Sequence, residues 1–149
     1  MIIKLTKGKE TIIDDEDWEK VKKYSWCLSS WGYAKSGSGG KTTYLHRLLT
    51  DFPQGMEVDH INGDRLDNRK INLRICTRAQ NQRNRSKCVG ISKYKGVCWI
   101  TKFRKWKSTI TNDGKIYHLG LFDNEIDAAM AYNNRAIELF GEFAWINKL

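Results

Sequence analysis

The stretch from Val58 to Arg85 constrains this chain more than any other part of it. It reads Val58-Asp59-His60-Ile61-Asn62-Gly63-Asp64-Arg65-Leu66-Asp67-Asn68-Arg69-Lys70-Ile71-Asn72-Leu73-Arg74, and then Thr77-Arg78-Ala79-Gln80-Asn81-Gln82-Arg83-Asn84-Arg85. Only short elements fit it. A strand is expected over Met56 to His60, after the Pro53-Gln54-Gly55 turn, then a turn at Asn62-Gly63-Asp64. An irregular polar loop follows from Arg65 to Asn72, with a brief strand from Leu73 to Ile75. Thr77 can then N-cap a helix running to about Arg85. The stretch sets one histidine, a carboxylate next to it and several amides in basic surroundings. Those groups can hold a divalent metal against a phosphodiester.

The rest of the chain divides around this stretch. Ile2 to Thr6 reads as a short strand, Lys7-Gly8-Lys9 as its turn, and Thr11 to Ile13 as a second strand. Asp14 to Lys23 has its acids early and its lysines late, which suits a helix dipole. Tyr24 to Ala34 alternates aromatic with small or polar residues, as strands do. Ser36-Gly37-Ser38-Gly39-Gly40 reads as a hairpin loop before a strand from Thr42 to Leu45. Ser86 to Ser92 reads as a hinge between halves. Beyond it lie three β-rich runs, Tyr94 to Phe103, Trp106 to Thr111 and Lys115 to Phe122, with Asn112-Asp113-Gly114 as a hairpin turn. Asp123 or Asn124 caps a last helix from Glu125 to about Phe140, whose alanines let it lie close against a sheet.

Charge points to a polyanionic partner. The formal net charge is +9 over 149 residues, and the distribution is directed. Arg65 to Lys87 holds eight Lys/Arg against one acid, and Lys93 to His118 holds seven against one. Binding through such a surface would weaken steeply with salt. The four cysteines, Cys27, Cys76, Cys88 and Cys98, form no Cys-x-x-Cys pair. They are expected to be reduced core residues rather than zinc ligands. No apolar run reaches membrane-spanning length, and the N-terminus shows no signal peptide.

Within the central stretch, Asp59 offers a hard anionic oxygen and His60 an imidazole that titrates near neutrality. In a straight strand these neighbours point to opposite faces, so a shared site requires a kink there. Asp59 with a helix-borne Asn81 makes an oxygen-only ligand pair suited to Mg²⁺, or Mn²⁺, rather than zinc. A calcium loop does not fit, since Gly63 comes one place early and Lys70 stands where the closing glutamate belongs. Without paired acids a two-metal nuclease is not expected.

The order of these residues resembles the HNH nucleases, which hold such a site on a ββα-metal motif. The resemblance implies that Asp59 and Asn81 bind one divalent metal, Mg²⁺ first, and that His60 is the base that deprotonates the attacking water. The family's middle asparagine, which orients the base and fixes the loop, falls on Asn72, twelve residues after His60. The final position, histidine in the archetype, is Asn81 here, as in the phage and intron homing endonucleases. Arg83 would bind DNA, and Asn84, one helical turn after Asn81, would support the metal or grip phosphate. His46, in Leu45-His46-Arg47-Leu48, recurs before the motif in these phage nucleases. It is expected to be structural at a strand end, with a contact to DNA or the site as the alternative.

Residues 93–147 carry a second likeness. Tyr94-Lys95-Gly96-Val97, Lys105-Trp106-Lys107-Ser108-Thr109-Ile110, His118-Leu119-Gly120-Leu121-Phe122-Asp123 and Asp127-Ala128-Ala129-Met130-Ala131-Tyr132-Asn133 resemble the Apetala/ethylene-response-factor DNA-binding domain. That family packs a three-stranded sheet on one helix and lays the sheet in the major groove. The resemblance implies DNA contacts from Lys95, Lys102, Arg104, Lys107, Thr109, Thr111 and His118. Plant members place several arginines on these strands; Cys98, Ile100 and Thr111 occupy some of those places here. At least two of Trp99, Trp106 and Trp145 are expected in the core.

The expected architecture is α+β: a ββα-metal HNH nuclease domain over residues 1–87, with its core at about 56–86, followed by a three-stranded antiparallel sheet packed on one helix over 93–149. The expected function is metal-dependent hydrolysis of double-stranded DNA in a bacterial cytoplasm. The chain is expected to act as monomer or dimer, by nick or break, without membrane attachment. The rival is a non-catalytic DNA-binding regulator on a decayed nuclease fold. A nuclease of structured RNA ranks below both, because the sheet lacks the paired surface aromatics of single-strand RNA readers.

Overall fold

A computed structural model describes residues 1–38, 41–51, 53–84 and 91–149. Cys88 and most of the expected hinge at Ser86 to Ser92 fall outside the described residues. The chain is mixed α and β, with several small antiparallel sheets, and forms two compact units, Met1–Asn81 and Gln82–Leu149.

The first unit opens with β1 (Ile2–Lys4) paired to β2 (Glu10–Ile12). A 3₁₀ turn at Asp15–Asp17 leads into α1 (Trp18–Val21). The helix stops two residues short of the expected Lys23. The Trp26 indole donates to the Val21 carbonyl at 3.1 Å, which satisfies a terminal carbonyl while burying the ring. The alternating run Tyr24 to Ala34 is not one strand. It folds back at Ser29 to Tyr33, where Ser29 Oγ accepts from the Tyr33 N–H at 2.9 Å and Gly32 takes a φ of +79°. The result is β3 (Cys27–Leu28) beside β4 (Ala34–Ser38), with β5 (Lys41–Tyr44) on the other edge of β4. Ser36 to Ser38, expected as loop, therefore belong to β4; residues 39 and 40 lie outside the described residues.

Residues Leu45–Thr50 form α2, where a strand end was expected at Leu45 and His46. Leu45 and Leu49 are one helical turn apart and both buried, which holds this short helix against the core. The strands β6 (Glu57–His60) and β7 (Leu73–Cys76) pair antiparallel, and α3 (Arg78–Arg83) follows. Ile3, Leu5, Ile13, Val21, Trp26, Ala34, Leu45, Leu49, Val58 and Leu73 make one core under these pieces.

The second unit is a three-stranded antiparallel sheet of β8 (Val97–Ile100), β9 (Lys105–Asn112) and β10 (Lys115–Phe122), with β9 central, covered by α4 (Glu125–Phe140). The β9–β10 turn has Asp113 and Gly114 both at positive φ, as the Asn-Asp-Gly sequence predicts. The Tyr94–Phe103 run yields a shorter strand than expected, because residues 101–104 turn with Arg104 at φ +50°. The Asn124 side chain accepts from the Asp127 N–H at 2.7 Å and caps α4 at its expected start. Cross-strand pairs share a face. Trp106, Ile110, Leu119 and Phe122 pack toward α4. Ile100, Cys98, Lys107, Thr109, Thr111, Ile116, His118 and Leu121 fall on the opposite, outer face by register. Cys98 is thus exposed rather than core, while Cys76 is buried and Cys27 half-buried; all three are free thiols. Trp99, Trp106 and Trp145 are each only half-buried.

Ala128, Ala129 and Ala136 are fully buried, so α4 lies close to the sheet. Tyr132 fills the gap above Gly96, which sits at φ +78°. A Cβ there would lie 2.1 Å from Tyr132 Cδ2 and 2.6 Å from the Thr109 carbonyl oxygen. Gly96→Ala combines a left-handed backbone with an overfilled core and is expected to cost about 3 kcal/mol. Amide hydrogen exchange checks this. Protection should fall across α4 and leave β1 and β2 unchanged; full protection in α4 would overturn the packing argument.

Candidate active site

The hairpin of β6 and β7 presents two faces. Its register pairs Glu57 with Cys76, Val58 with Ile75, Asp59 with Arg74 and His60 with Leu73, without a bulge. The expected kink between Asp59 and His60 is therefore not seen, and their side chains leave β6 on opposite sides. One face gathers Glu57, Asp59, Arg74 and Cys76, together with Asn81 from α3. Arg74 donates to Asp59 Oδ2 through Nε at 2.9 Å and NH2 at 2.7 Å. Both side chains are nearly buried, at 11% and 7% exposure. Asn81 Nδ2 donates to Glu57 Oε2 at 2.6 Å. Cys76 packs beside them, and burial, helped by the Asp59 charge, pushes its thiol up to about 11. It is a protonated neighbour, not a thiolate ligand. Among the described residues no three His, Cys, Asp or Glu side chains cluster as a ready metal cage.

His60 lies on the other face, 4% exposed, beneath the Tyr33 ring at 5.8 Å and edge-on to His46 at 5.3 Å. Its protonation follows from a chain of hydrogen bonds. The Thr11 hydroxyl donates its one hydrogen to the Leu66 carbonyl at 2.7 Å. Thr11 Oγ1 must therefore accept from the Asn68 amide nitrogen, 2.7 Å away. That orientation turns Asn68 Oδ1 toward His60 Nε2, at 3.2 Å. A carbonyl oxygen only accepts, so the imidazole carries its proton on Nε2 and its basic lone pair on Nδ1. Burial lowers the His60 pKa, while the Asn68 bond and the Asp59, Asp64 and Asp67 charges oppose that shift.

Asn72 closes the loop after His60. Its Oδ1 accepts from the Asn62 N–H at 2.9 Å, and its Nδ2 donates to the Asp67 carbonyl at 2.7 Å. Asp67 in turn takes two bonds from Arg69, both at 2.7 Å, which hold its carboxyl below the usual carboxylate range. The loop from Ile61 to Leu66 is thus tied at both ends by one buried amide.

His46 comes from the first turn of α2, 6% exposed, with rings from Tyr33, Tyr44 and His60 around it. Its Nδ1 is buried with no hydrogen-bond partner among the described residues. Burial, reinforced by His60 and Arg47, lowers its pKa to about 3. The unfolded chain takes up this proton below about pH 6.5 and the folded chain does not, so stability is full above that pH and falls as pH drops toward 3. Between pH 7 and pH 5 the loss from His46 should approach about 2 kcal/mol. Urea midpoints at the two pH values measure it. His46→Phe should flatten the dependence; an equal slope in that variant would refute the assignment.

The other sequence-derived contact residues are in the second unit. Lys107, Thr109, Thr111 and His118 share the outer sheet face, and Lys102 and Arg104 lie exposed in the turn before β9. Lys95 is half-buried, and its Nζ donates to the Arg83 carbonyl at 2.8 Å. Arg83 lies over the Phe140 ring at 4.9 Å with its NH2 toward Asn112 and Asp113, and Asn84 is buried. These last three all belong to the second unit.

Sequence reasoning missed Asn68, Arg74, Glu57 and Tyr33. Nothing in the spacing separates Asn68 from Asn62, because its partner Thr11 is 57 residues away. Arg74 was readable in principle, as the residue opposite Asp59 once the hairpin register is set.

A family profile described as HNH endonuclease matches residues 51–83. The "Uncharacterized HNH endonuclease L560" of Acanthamoeba polyphaga mimivirus is 36% identical over 149 residues, covering 96% of this chain and 77% of that protein. "Protein 3.8" of Escherichia phage T7 is 32% identical over 94 residues, 62% of this chain and 77% of that one. YosQ of Bacillus subtilis (strain 168), named provisionally as an SPbeta prophage-derived HNH homing endonuclease, is 32% identical over 83 residues, 52% of this chain and 42% of its own. No solved structure matches. A relative this similar along nearly the whole chain, joined to a profile match over the β6–β7 hairpin, leads to one conclusion: the chain belongs to the HNH endonuclease family.

Proposed function

We propose that the chain is a metal-dependent DNA endonuclease of the homing type, with a ββα-metal centre on β6, β7 and α3 and a separate Apetala/ethylene-response-factor-like unit that holds the duplex. The observation that carries this reading is the locked His60 imidazole. A buried ring held by Nε2–H to Asn68 keeps a lone pair on Nδ1, which is the state a general base needs at neutral pH. The donors on the other face suit Mg²⁺ or Mn²⁺: Asp59 and Asn81 offer hard oxygens, and the neighbouring thiol stays protonated. When bound, such an ion withdraws charge from the scissile phosphate and stabilises the leaving oxygen.

The protein's own groups do the rest. His60 Nδ1 takes the proton of the attacking water once β6 kinks at Asp59 and His60, since the straight strand turns the two side chains to opposite faces. Asn72 fixes the loop that follows the base, and Arg74 keeps Asp59 in place until the cation arrives. The C-terminal sheet, with Lys95, Lys102, Arg104 and Lys107 on phosphates and Thr109, Thr111 and His118 toward the bases, raises the local concentration of duplex. Arg83 and Asn84 would add phosphate contacts. One centre per chain nicks, and a double-strand break takes two chains or two events. The site of action is the DNA inside a bacterial host.

Supercoiled plasmid tests this reading. Mg²⁺ should convert it to relaxed or linear form, and chelator should abolish conversion. Binding without cutting, in any divalent metal, would favour the non-catalytic regulator instead.

A further inference from the structure

The outer face of the C-terminal sheet carries an apolar cleft among its polar and basic residues. By register, Cys98, Lys107 and Leu121 form one row across it, Thr109 and His118 the next, and Thr111 and Ile116 the third. A cleft of about 410 Å³ opens on this face, lined by Ile100, Phe103, Lys107, His118, Gly120 and Leu121. Phe103 is 55% exposed, Leu121 45% and Ile116 64%. Gly120 lines the cleft with backbone alone; a Cβ there would lie 3.0 Å from the Phe122 ring, on the α4 side of the sheet. Exposed apolar surface of this kind is usually covered by something. The rim is basic, with Lys102 and Arg104 in the turn and Lys107 on the wall, while Lys105 is held by Asp123 at 3.0 Å. Charge complementarity therefore selects duplex DNA as the occupant.

Of the features in the major groove, only the thymine C5 methyl is apolar; guanine, cytosine and adenine present nitrogen and oxygen groups there. Guanine readout favours arginine or lysine forked onto O6 and N7. The outward strand positions carry no arginine, and one of their two lysines, Lys105, is paired with an acid. Thr109 and His118, side by side next to the cleft, can exchange hydrogen bonds with the adenine or thymine edge.

We propose that this sheet reads A·T-rich duplex DNA by seating thymine C5 methyl groups in the cleft between Ile100, Phe103 and Leu121, with Lys102, Arg104 and Lys107 on the flanking phosphates. The inference rests on the DNA-holding role proposed above for the second unit and adds the base that it selects. Deoxyuridine tests it, because it removes the methyl and keeps every hydrogen bond of the pair. The full chain in chelator is first used to select sites from a random duplex pool, and the selected duplex is then remade with uracil for thymine. Each seated methyl contributes about 4-fold in affinity, so a site using two should lose about 10-fold or more.

The expected results are an A·T-rich selected site, weaker binding of the uracil duplex, and a double variant, Ile100→Ser with Leu121→Asn, that binds both duplexes alike. Equal affinity of the wild-type chain for thymine and uracil duplexes would overturn the proposal and leave DNA binding standing, as would a guanine-rich site. Self-association through this face, abolished by Leu121→Asn and without thymine discrimination, would replace it. Absence of any duplex binding at low salt would remove the DNA-holding role and this inference together.

Discussion

Replacing His60 with alanine is expected to lower Mg²⁺-dependent strand cleavage by about 10²–10⁴-fold while leaving DNA affinity nearly unchanged. A positioned base contributes an effect of that size to the chemical step. His60 is buried under Tyr33 and His46, so its direct share of duplex binding is small. Single-turnover cleavage at saturating enzyme isolates the step. Undiminished cleavage would remove His60 as the base. Asn68 offers a finer readout, since it acts only through His60. Asn68→Ala should reduce the rate less than His60→Ala. Asn68→Asp should carry the acid limb of the pH–rate profile to higher pH, because a carboxylate at Nε2 favours the imidazolium. A purely structural role for Asn68 would lower the rate without moving that limb.

Replacing Arg74 with methionine is expected to destabilise the chain by about 3–5 kcal/mol in chelator, because the nearly buried Asp59 carboxylate would lose both guanidinium bonds. The pair is nearly buried and bonded through two guanidinium nitrogens, which places it outside the weak class of surface ion pairs. Millimolar Mg²⁺ should restore part of the loss, since a cation bound at Asp59 supplies the missing positive charge and stabilises only the folded state. The wild-type protein should gain less from the same Mg²⁺, because Arg74 already neutralises the carboxylate. Thermal unfolding of both proteins, with and without metal, gives the comparison. A loss in Arg74→Met that Mg²⁺ leaves untouched would remove Asp59 as a metal ligand.

Local signals were legible in the chain and distant ones were not. The final helix carries its own start, an asparagine cap with acids in the first turn, and it begins where the sequence puts it. The β9–β10 hairpin likewise announces itself by a turn that needs two left-handed residues. By contrast, α2 is six residues long and its N-cap, Tyr44, makes no side-chain cap bond. Tertiary burial of Leu45 and Leu49 stabilises it, so no periodic pattern could reveal it. The Tyr24 to Ala34 alternation misled for a related reason: a serine hydroxyl and a left-handed glycine reverse the chain inside an otherwise strand-like run. At the site, Asp59, His60, Asn72 and Asn81 stood out because their types and order are unusual together. Their orienting partners, Thr11, Asn68 and Arg74, are common residues whose meaning comes only from what folds against them.

The bond from Thr11 to Asn68 joins the opening strands of the chain to the imidazole more than forty positions later. The segment that carries the diagnostic residues is therefore no transplantable cassette. Grafted onto another scaffold without β2, it would keep every recognisable side chain, yet its base would have lost the hydroxyl that decides which nitrogen carries the proton.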